Sequence, residues 1–567
     1  MNKRYALGLD YGTNSCRSLL VDLETGEELG SSVFPYPSGE MGILTDPRDP
    51  SVARQNPQDY LDGMTAIIKG ALEQAKKANK QFDPDRVVGI GVDTTGSTPI
   101  PVDREGTPLA LTEEYKGDLN AQAWLWKDHT AHEEAAQITE LAATMHPEYL
   151  AKCGGTYSSE WFWSKILRLK HAAPGVFAAA HSFVEHCDWI PAVLTGNTDP
   201  NRVARSICAA GHKAMFHPAW GGLPARKFLE QLDPGLAALR DRLYSRALTS
   251  DQLAGRLSPN WAKKLGLKAG IAVATGAFDA HMGAVGAGVK EGTLVKILGT
   301  STCDLMIHPN QNALADVPGL CGIVDGSVLP GYYGLEAGQS AVGDIFLWFV
   351  NNLVPDSYGA TPAAKFESME KALAALKPGE TGLLALDWNN GNRTILTDVR
   401  LSGMIIGQTL HTKAHEIYRA LIEATAFGAL TIINRLEEYG VKVEEVINTG
   451  GLAVKNATLM QIYADVIGRP MKVSRSEQTC ALGAAIFGAM AAGAVECGFD
   501  SIQDAQRVLC RVRDTVYEPD RRHHSTYARL YSLYRQMHDS FGTTQWSGRV
   551  SHVMKELIAI REEQRLA

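Results

Sequence analysis

The chain has 567 residues, 45% of them hydrophobic, with 55 lysines and arginines against 63 aspartates and glutamates. That length exceeds what one hydrophobic core organises, so two sizeable α/β domains with a cleft between them are expected. A net charge of −8 without any dominant block of like charge argues against nucleic acid or an anionic membrane surface as the main partner.

The N-terminal "MNKRYALGLDYG" sets basic residues before an apolar stretch, but Asp10 interrupts it before a signal-peptide core forms. Strands are expected over 7–10, 17–22 and 28–34, with "LETGEE" turning between the second and third. Asn56 and Pro57 supply an N-cap and a first-turn proline, which predicts a helix over 58–78. "VVGIGVDTTGSTPIPVD" then returns to strand and completes an α/β unit. Residues 117–266 carry a mostly helical pattern rich in tryptophan and read as an insertion into the first domain. "AGIAVATGAFDAHMGAVGAG" resumes a strand, turns at Gly276 and continues as a glycine-rich helix.

The second half brings "DGSVLPGYYGLEAGQS", a strand and turn ending at Glu336, and a helix from Gly343. A long amphipathic helix ends near Gly440, and "EEVINTGGLAVKNATLMQIYADVIGRPM" reads as strand, Gly-Gly turn and helix. "ALGAAIFGAMAAGAV" at 481–495 falls short of the roughly 18 residues a membrane span needs, so it reads as a closely packed buried helix. The tail from Tyr517 reads as a surface helix without chemistry. Nine scattered cysteines, none in a C-x-x-C pair, are expected as buried thiols in a reducing cytoplasm.

One pentapeptide recurs: "GTNSC" at 12–16 returns as "GTSTC" at 299–303, half a chain later, each between two apolar strands. A duplicated domain, each copy pointing one hairpin into a common cleft, is the architecture this implies. No G-x-x-x-x-G-K-[ST] occurs, so phosphate is not held by a P-loop. Backbone N–H groups in a Gly-Thr turn form a concave nest for anions, and two nests facing each other would hold a polyphosphate. Asp10 ends the first strand beside such a nest, where a carboxylate tolerates phosphate only with a divalent cation between them. Ordinary turn chemistry and helix capping remain the bland alternatives for these residues.

"LGLDYGTNSCRSLLVD", "TGAFDAHMGAVGAG", "KILGTSTCDL" and "NTGGLAVKN" resemble, in order and spacing, the phosphate, catalytic, second phosphate and adenosine segments of the FGGY carbohydrate kinases. The resemblance covers about 500 residues. It implies an actin-like (ribonuclease H-like) ATPase fold, with residues 1–288 as a sugar-binding domain carrying the 117–266 insertion and 289–567 as a nucleotide-binding domain with a helical tail. "GVDTTGSTPIPVD", "LWKDHTA", "TYSSEWFWSKIL", "AGHK" and "GLEAGQSAVGD" resemble the members that phosphorylate L-ribulose, giving L-ribulose 5-phosphate in arabinose catabolism. Two departures stand out: Glu160 lies where the family's first signature usually has lysine, and Gln408 where the second has an aliphatic residue.

Carried over by position, the resemblance makes Asp279 the general base and gives the phosphates to Gly12, Thr13 and Asn14 with Gly299, Thr300 and Ser301. Arg17 would neutralise developing charge, Asp10 would face Mg²⁺, and Gly450, Gly451 and Asn456 would receive the adenosine of ATP. Sugar contacts fall on Gly96 or Ser97, Lys213, Asp279 and Glu336, with Trp126 and Asp128 as candidate pocket walls. His129, His212 and His281 lack metal-ligand spacing in sequence and read as structural or supporting residues. A cytoplasmic enzyme, with a homodimer as the assembly allowed for, completes the expectation. Another ketopentose or pentitol kinase (for xylulose, ribitol or D-ribulose), an actin- or Hsp70-like ATPase acting on a protein partner, and a silent sugar-binding regulator stay open as alternatives.

Overall fold

Every residue of Tyr5–Tyr11 is buried, so this segment is a central strand covered on both faces. In the computed structural model, which describes residues 3–566, it pairs antiparallel with Ser15–Asp22, which in turn pairs antiparallel with Glu28–Pro35. Helix Pro57–Ala78, capped by the Asn56 side chain on the Gln58 N–H, carries the chain over the sheet to Val87–Thr94, parallel to the first strand. Ala272–Ala274 adds a further parallel strand after the insertion.

The second half repeats this order strand for strand. Thr293–Leu298 pairs antiparallel with Thr302–Pro309, Tyr332–Ala337 follows antiparallel, and Glu445–Thr449 and Met471–Ser474 add parallel strands on the other side. The duplication seen in one pentapeptide is thus a duplicated five-strand unit. The pairing also corrects how the pentapeptides correspond. Tyr11 faces Cys16 across four intervening residues, whereas Leu298 faces Thr302 across three, so Thr302 and not Cys303 stands where Cys16 does.

Helix Thr479–Ala492, although it belongs to the second half, lies against the first sheet. It comes so close that a Cβ built on Gly8 would stand 1.7 Å from the Ala481 carbonyl oxygen, and one on Gly91 1.8 Å from that of Ala484. Only glycine in the strands and small residues on the helix permit this approach. A core of Ala6, Leu19 and Val21 with Leu305, Ile307 and Ala485 fuses the two halves beneath the cleft. The insertion builds its own core around Trp124, Trp163, Phe228 and Leu236.

The tail is more deeply anchored than expected. Helix Arg521–Gly542 exposes one face, with Arg521, Arg522, Ser525 and Ser532 in solvent, while Tyr527, Leu530, Tyr534 and Met537 on the other are buried in the second domain's core. Its tyrosines enter because their hydroxyls find partners, Tyr534 donating to Asp387 Oδ1 at 3.0 Å and Tyr527 to Glu423 Oε1 at 2.9 Å. All nine cysteines are free thiols, six buried and three partly exposed. Among the described residues no helix is long and apolar enough to cross a membrane.

Candidate active site

Sheet register builds the centre of the site. Arg17 lies opposite Asp10, Asp10 opposite Asp93, and Asp93 opposite Ala277, which leads into Asp279 at the start of helix Asp279–Gly286. The row therefore runs across four strands, the last being the short Ala277–Phe278. Arg17 Nε stands 3.4 Å from Asp10 Oδ2. Asp93 is fully buried and neither of its oxygens has a hydrogen-bond partner. Burial, with Asp10 and Asp279 nearby, drives its carboxyl far above the ordinary range, and burial raises Asp10 despite Arg17. Asp279 is pushed up to about 7 by burial and the Asp10 charge, even though its Oδ1 accepts the Ala280 N–H at 2.7 Å.

Ligand atoms of Asp10, Asp93 and Cys480 lie within 4.8 Å of one another. Burial holds the Cys480 thiol well above its usual range, hence protonated, so the hard ligands here are the two carboxylates. Two buried carboxylates, one of them orphaned, suit a Mg²⁺ ion that keeps its remaining positions for water and phosphate. Asp93 was missed in the sequence reading, although "GVDTTG" repeats the signal of "GLDYGT", an aspartate at a strand end before a small polar turn.

The two hairpin tips are tied down from behind. Gly12 N–H closes the first turn on Ser15 O at 3.0 Å, Gln55 donates to Thr13 O at 2.7 Å, and Trp126 Nε1 donates to Thr13 Oγ1 at 3.0 Å. Asn14, at the exposed tip, donates to Met41 O at 2.7 Å. In the second turn Gly299 N–H bonds Ser301 O at 3.0 Å, while Thr300 O accepts Val342 N–H at 2.8 Å and Asp344 N–H at 3.1 Å. Gly450 has φ +93°, and a Cβ there would meet Leu298 O at 2.3 Å, so the glycine pair sits directly behind the second hairpin. Gly450 and Gly451 are exposed, and Gly451 faces open space. Asn456 is turned inward: Oδ1 caps Leu459 N–H at 2.8 Å and Nδ2 bonds Glu370.

On the other side of Asp279, Gly96 packs against the Phe278 ring and is partly exposed. Ser97 is fully buried, its hydroxyl donating to Glu185, which also accepts Thr98 N–H at 2.8 Å. Lys165, buried and lowered to about 7 by that burial, donates to Ser97 O at 2.7 Å and Leu125 O at 2.8 Å. Neither Lys165 nor Glu185 was singled out from sequence, since nothing in their local spacing marks them. Trp126 is half-buried, whereas Asp128 is sealed inside, paired with Arg54 and accepting Ala53 N–H at 2.8 Å.

Lys213, from the insertion, donates to both oxygens of Glu336, from the second sheet, at 2.9 and 3.1 Å. Burial opposes the Glu336 charge, yet Lys213, with His212 and His281 beside it, holds the carboxyl well below its ordinary range. Asp279, Asp10 and Arg17 thus form one cluster and Lys213 with Glu336 a second, close enough that Glu336 helps to raise Asp279.

Two duplicated mixed sheets, the first carrying a carboxylate row, make up the actin-like fold that sugar kinases use. Solved structures share it: xylulose kinase from Rhodospirillum rubrum superposes with TM-score 0.77 at 22% identity, covering 95% of this chain and 99% of that one. Plasmodium falciparum glycerol kinase with ADP superposes with TM-score 0.74 at 18% identity, covering 94% and 98%. The N-terminal domain of the FGGY family of carbohydrate kinases matches residues 5–286 and its C-terminal domain residues 294–492. The chain belongs to this family and is an ATP-dependent carbohydrate kinase. It is 44% identical over 554 residues to the ribulokinase of Vibrio parahaemolyticus, covering 94% of this chain and 96% of that protein. With the ribulokinase of Halalkalibacterium halodurans it shares 40% over 580 residues, covering 100% and 99%.

Proposed function

We propose that this chain transfers the γ-phosphoryl group of ATP to the terminal hydroxyl of L-ribulose, yielding L-ribulose 5-phosphate for arabinose breakdown in the cytoplasm. The observation that carries the substrate is end-to-end identity of 40% and 44% with proteins named ribulokinase, with both clusters of the site in place.

Asp279 takes the proton of the attacking hydroxyl. Its Oδ1 is occupied by Ala280 N–H, which leaves Oδ2 as the proton acceptor. A carboxyl near 7 is better matched to that task than one at its ordinary 3.8. Phosphoryl transfer is loose, so alignment and neutralised charge supply most of the rate. With the Gly12 and Gly299 N–H groups closing the two turns, the N–H groups of Thr13, Asn14, Thr300 and Ser301 are the ones offered to the phosphates, the glycines allowing close approach. Arg17 offsets charge on the transferred group, and Gly450 and Gly451 leave room for adenosine. Asp10 with Asp93 would hold Mg²⁺, which when bound screens the phosphates from the carboxylates. Lys213 and Glu336 read the sugar's oxygens in a fixed donor and acceptor pattern, with Gly96 offering backbone beside them. Closure of the domains on the sugar would exclude water as a competing acceptor.

Release of ADP, measured with L-ribulose, D-ribulose, D-xylulose, ribitol and no sugar, tests this reading. L-ribulose is expected to give the largest stimulation. No stimulation above the sugar-free control overturns it, and sugar-independent hydrolysis favours an ATPase acting on a protein.

A further inference from the structure

His212, His281 and Glu336 come from three separate segments, the insertion, the helix that begins at Asp279, and the second sheet, and they converge in one buried place. His212 Nδ1 stands 3.3 Å from Glu336 Oε2, His281 Nε2 stands 3.8 Å from the same oxygen, and all three ligand atoms lie within 4.8 Å of one another. Donors around a tetrahedral Zn²⁺, each at about 2.0–2.1 Å from the metal, are separated by roughly 3.4 Å. The cluster is within a few tenths of an ångström of that spacing on two of its edges.

Hydrogen bonding leaves the right lone pairs free. The Ser327 hydroxyl donates to Val324 O at 3.1 Å, which leaves its oxygen able to accept from His212 Nε2 at 3.0 Å, and the tautomer we assign puts the ring proton there. Nδ1 is then an acceptor 3.3 Å from an oxygen that Lys213 holds at 3.1 Å from another side, and a second cation between the two acceptors relieves their repulsion. His212 Nδ1 and both nitrogens of His281 lack any hydrogen-bond partner, and both rings are about 98% buried. Burial lowers both imidazoles, His281 to about 4, so they are neutral near pH 7, the form in which imidazole ligates metals. Orientation of a ligating ring through its other nitrogen is the usual support of a metal site. Gly322, the strand partner of Glu336, keeps space beside the ring, since a Cβ there would fall 2.1 Å from His212 Nδ1.

We propose that His212 Nδ1, His281 Nε2 and Glu336 Oε2 form a binding site for a single divalent d-block cation of the zinc class. The fourth position is left to water. Lys213 shares Glu336 with the ion, retaining Oε1 and losing Oε2. An ion here joins the insertion, the helix of Asp279 and the second sheet, so it fixes Glu336 and inhibits sugar binding. The inhibitory consequence rests on the proposed function, whereas the binding site does not.

The test uses the full chain freed of metal by chelator. Co²⁺ titration in the Asp10→Asn, Asp93→Asn double variant, which removes the carboxylate site, is expected to show one four- or five-coordinate site by visible absorption, displaced by one equivalent of Zn²⁺, with matching stoichiometry by calorimetry. In that background His212→Gln and His281→Gln are each expected to weaken Zn²⁺ binding by about tenfold or more, with circular dichroism confirming the fold, while Cys480→Ser leaves it unchanged. Absence of a one-to-one site in the double variant, or equal affinity in folded histidine variants, overturns the proposal and puts the His212 proton on Nδ1. In the kinetic arm, run on the wild type, Zn²⁺ is expected to raise the KM for L-ribulose without changing that for ATP. Tight binding with inhibition that ignores sugar concentration keeps the ion site and rejects Lys213 and Glu336 as sugar contacts.

Discussion

Asp10 and Asp93 face each other across adjacent parallel strands, both buried, with an arginine beside only the first. Two carboxylates in such a place cannot both carry full charge, and burial raises both. Asp93→Asn keeps the shape and makes permanent the neutral state that burial favours at this position. It is expected to raise thermal stability and, where Mg²⁺ sits against the pair, to raise the Mg²⁺ concentration for half-maximal turnover about tenfold. Mn²⁺ binding followed by electron paramagnetic resonance gives the same comparison without turnover. Unchanged stability and unchanged metal affinity would dissolve the pair as a functional unit.

Asp279 gives a pH prediction with a definite sign. A base must be deprotonated, so turnover should rise with pH, with an apparent pKa of about 7, and level off above it. Asp279→Asn should leave ATP binding nearly intact and lower kcat by about 10²–10⁴-fold, with the acid limb lost. Stability runs the other way. The folded-state pKa is raised above the ordinary 3.8, so the native state holds the proton more tightly, and its stabilising contribution, present below about 4, is lost as pH rises through about 7. The asparagine variant lacks this loss and should be more stable than wild type at pH 8 by about 2 kcal/mol, allowing for partial exposure of the side chain. Near-normal turnover in that variant would reject Asp279 as the base.

What the sequence made legible was local chemistry carried by short segments. Asn56 and Pro57 marked a helix start that the structure places at Pro57, and the two Gly-Thr turns marked the paired hairpins. Non-local placement was hidden. Asp93 gains its importance from register with Asp10, and Lys165 from reaching the carbonyls of Ser97 and Leu125 through a folded insertion. His212 and His281 show no ligand spacing because their partner lies on the other half of the chain. The helix Arg521–Gly542 was legible as a surface helix from its charge, but the depth of its other face was not, because that depends on Asp387 and Glu423, remote in sequence, receiving the hydroxyls of Tyr534 and Tyr527.

Lys213 and Glu336 supply a third prediction. Lys213→Met leaves a buried carboxylate without its cation and is expected to cost about 3–5 kcal/mol of stability. Adding Glu336→Gln removes the orphaned charge and should recover much of that loss, so the two changes are non-additive in chemical denaturation. Sugar recognition should not recover with it. The double variant is expected to show a raised KM for sugar with KM for ATP little changed; restored sugar affinity would make the pair purely structural.

The junction of the two halves yields the last prediction. Gly91, in the central strand Val87–Thr94, faces the backbone of helix Thr479–Ala492, and its missing side chain is what lets strand and helix touch. In Gly91→Ala the new Cβ would stand 1.8 Å from the Ala484 carbonyl oxygen, and a backbone atom in mid-helix cannot swing aside as a side chain would. The helix must move off the sheet, loosening the core of Ala6, Leu19 and Ala485 that joins the domains. Overpacking of this kind costs about 1–3 kcal/mol or more. Because Cys480, at the same helix's first turn, sits beside Asp10 and Asp93, the displacement should reach the carboxylate row and lower kcat as well as the melting temperature. Gly175→Ala, where no heavy atom lies within 4 Å of the new Cβ, is the matched control and should leave both quantities unchanged. Equal behaviour of the two variants would show that the helix is free to shift and that close backbone contact does not hold the halves in register.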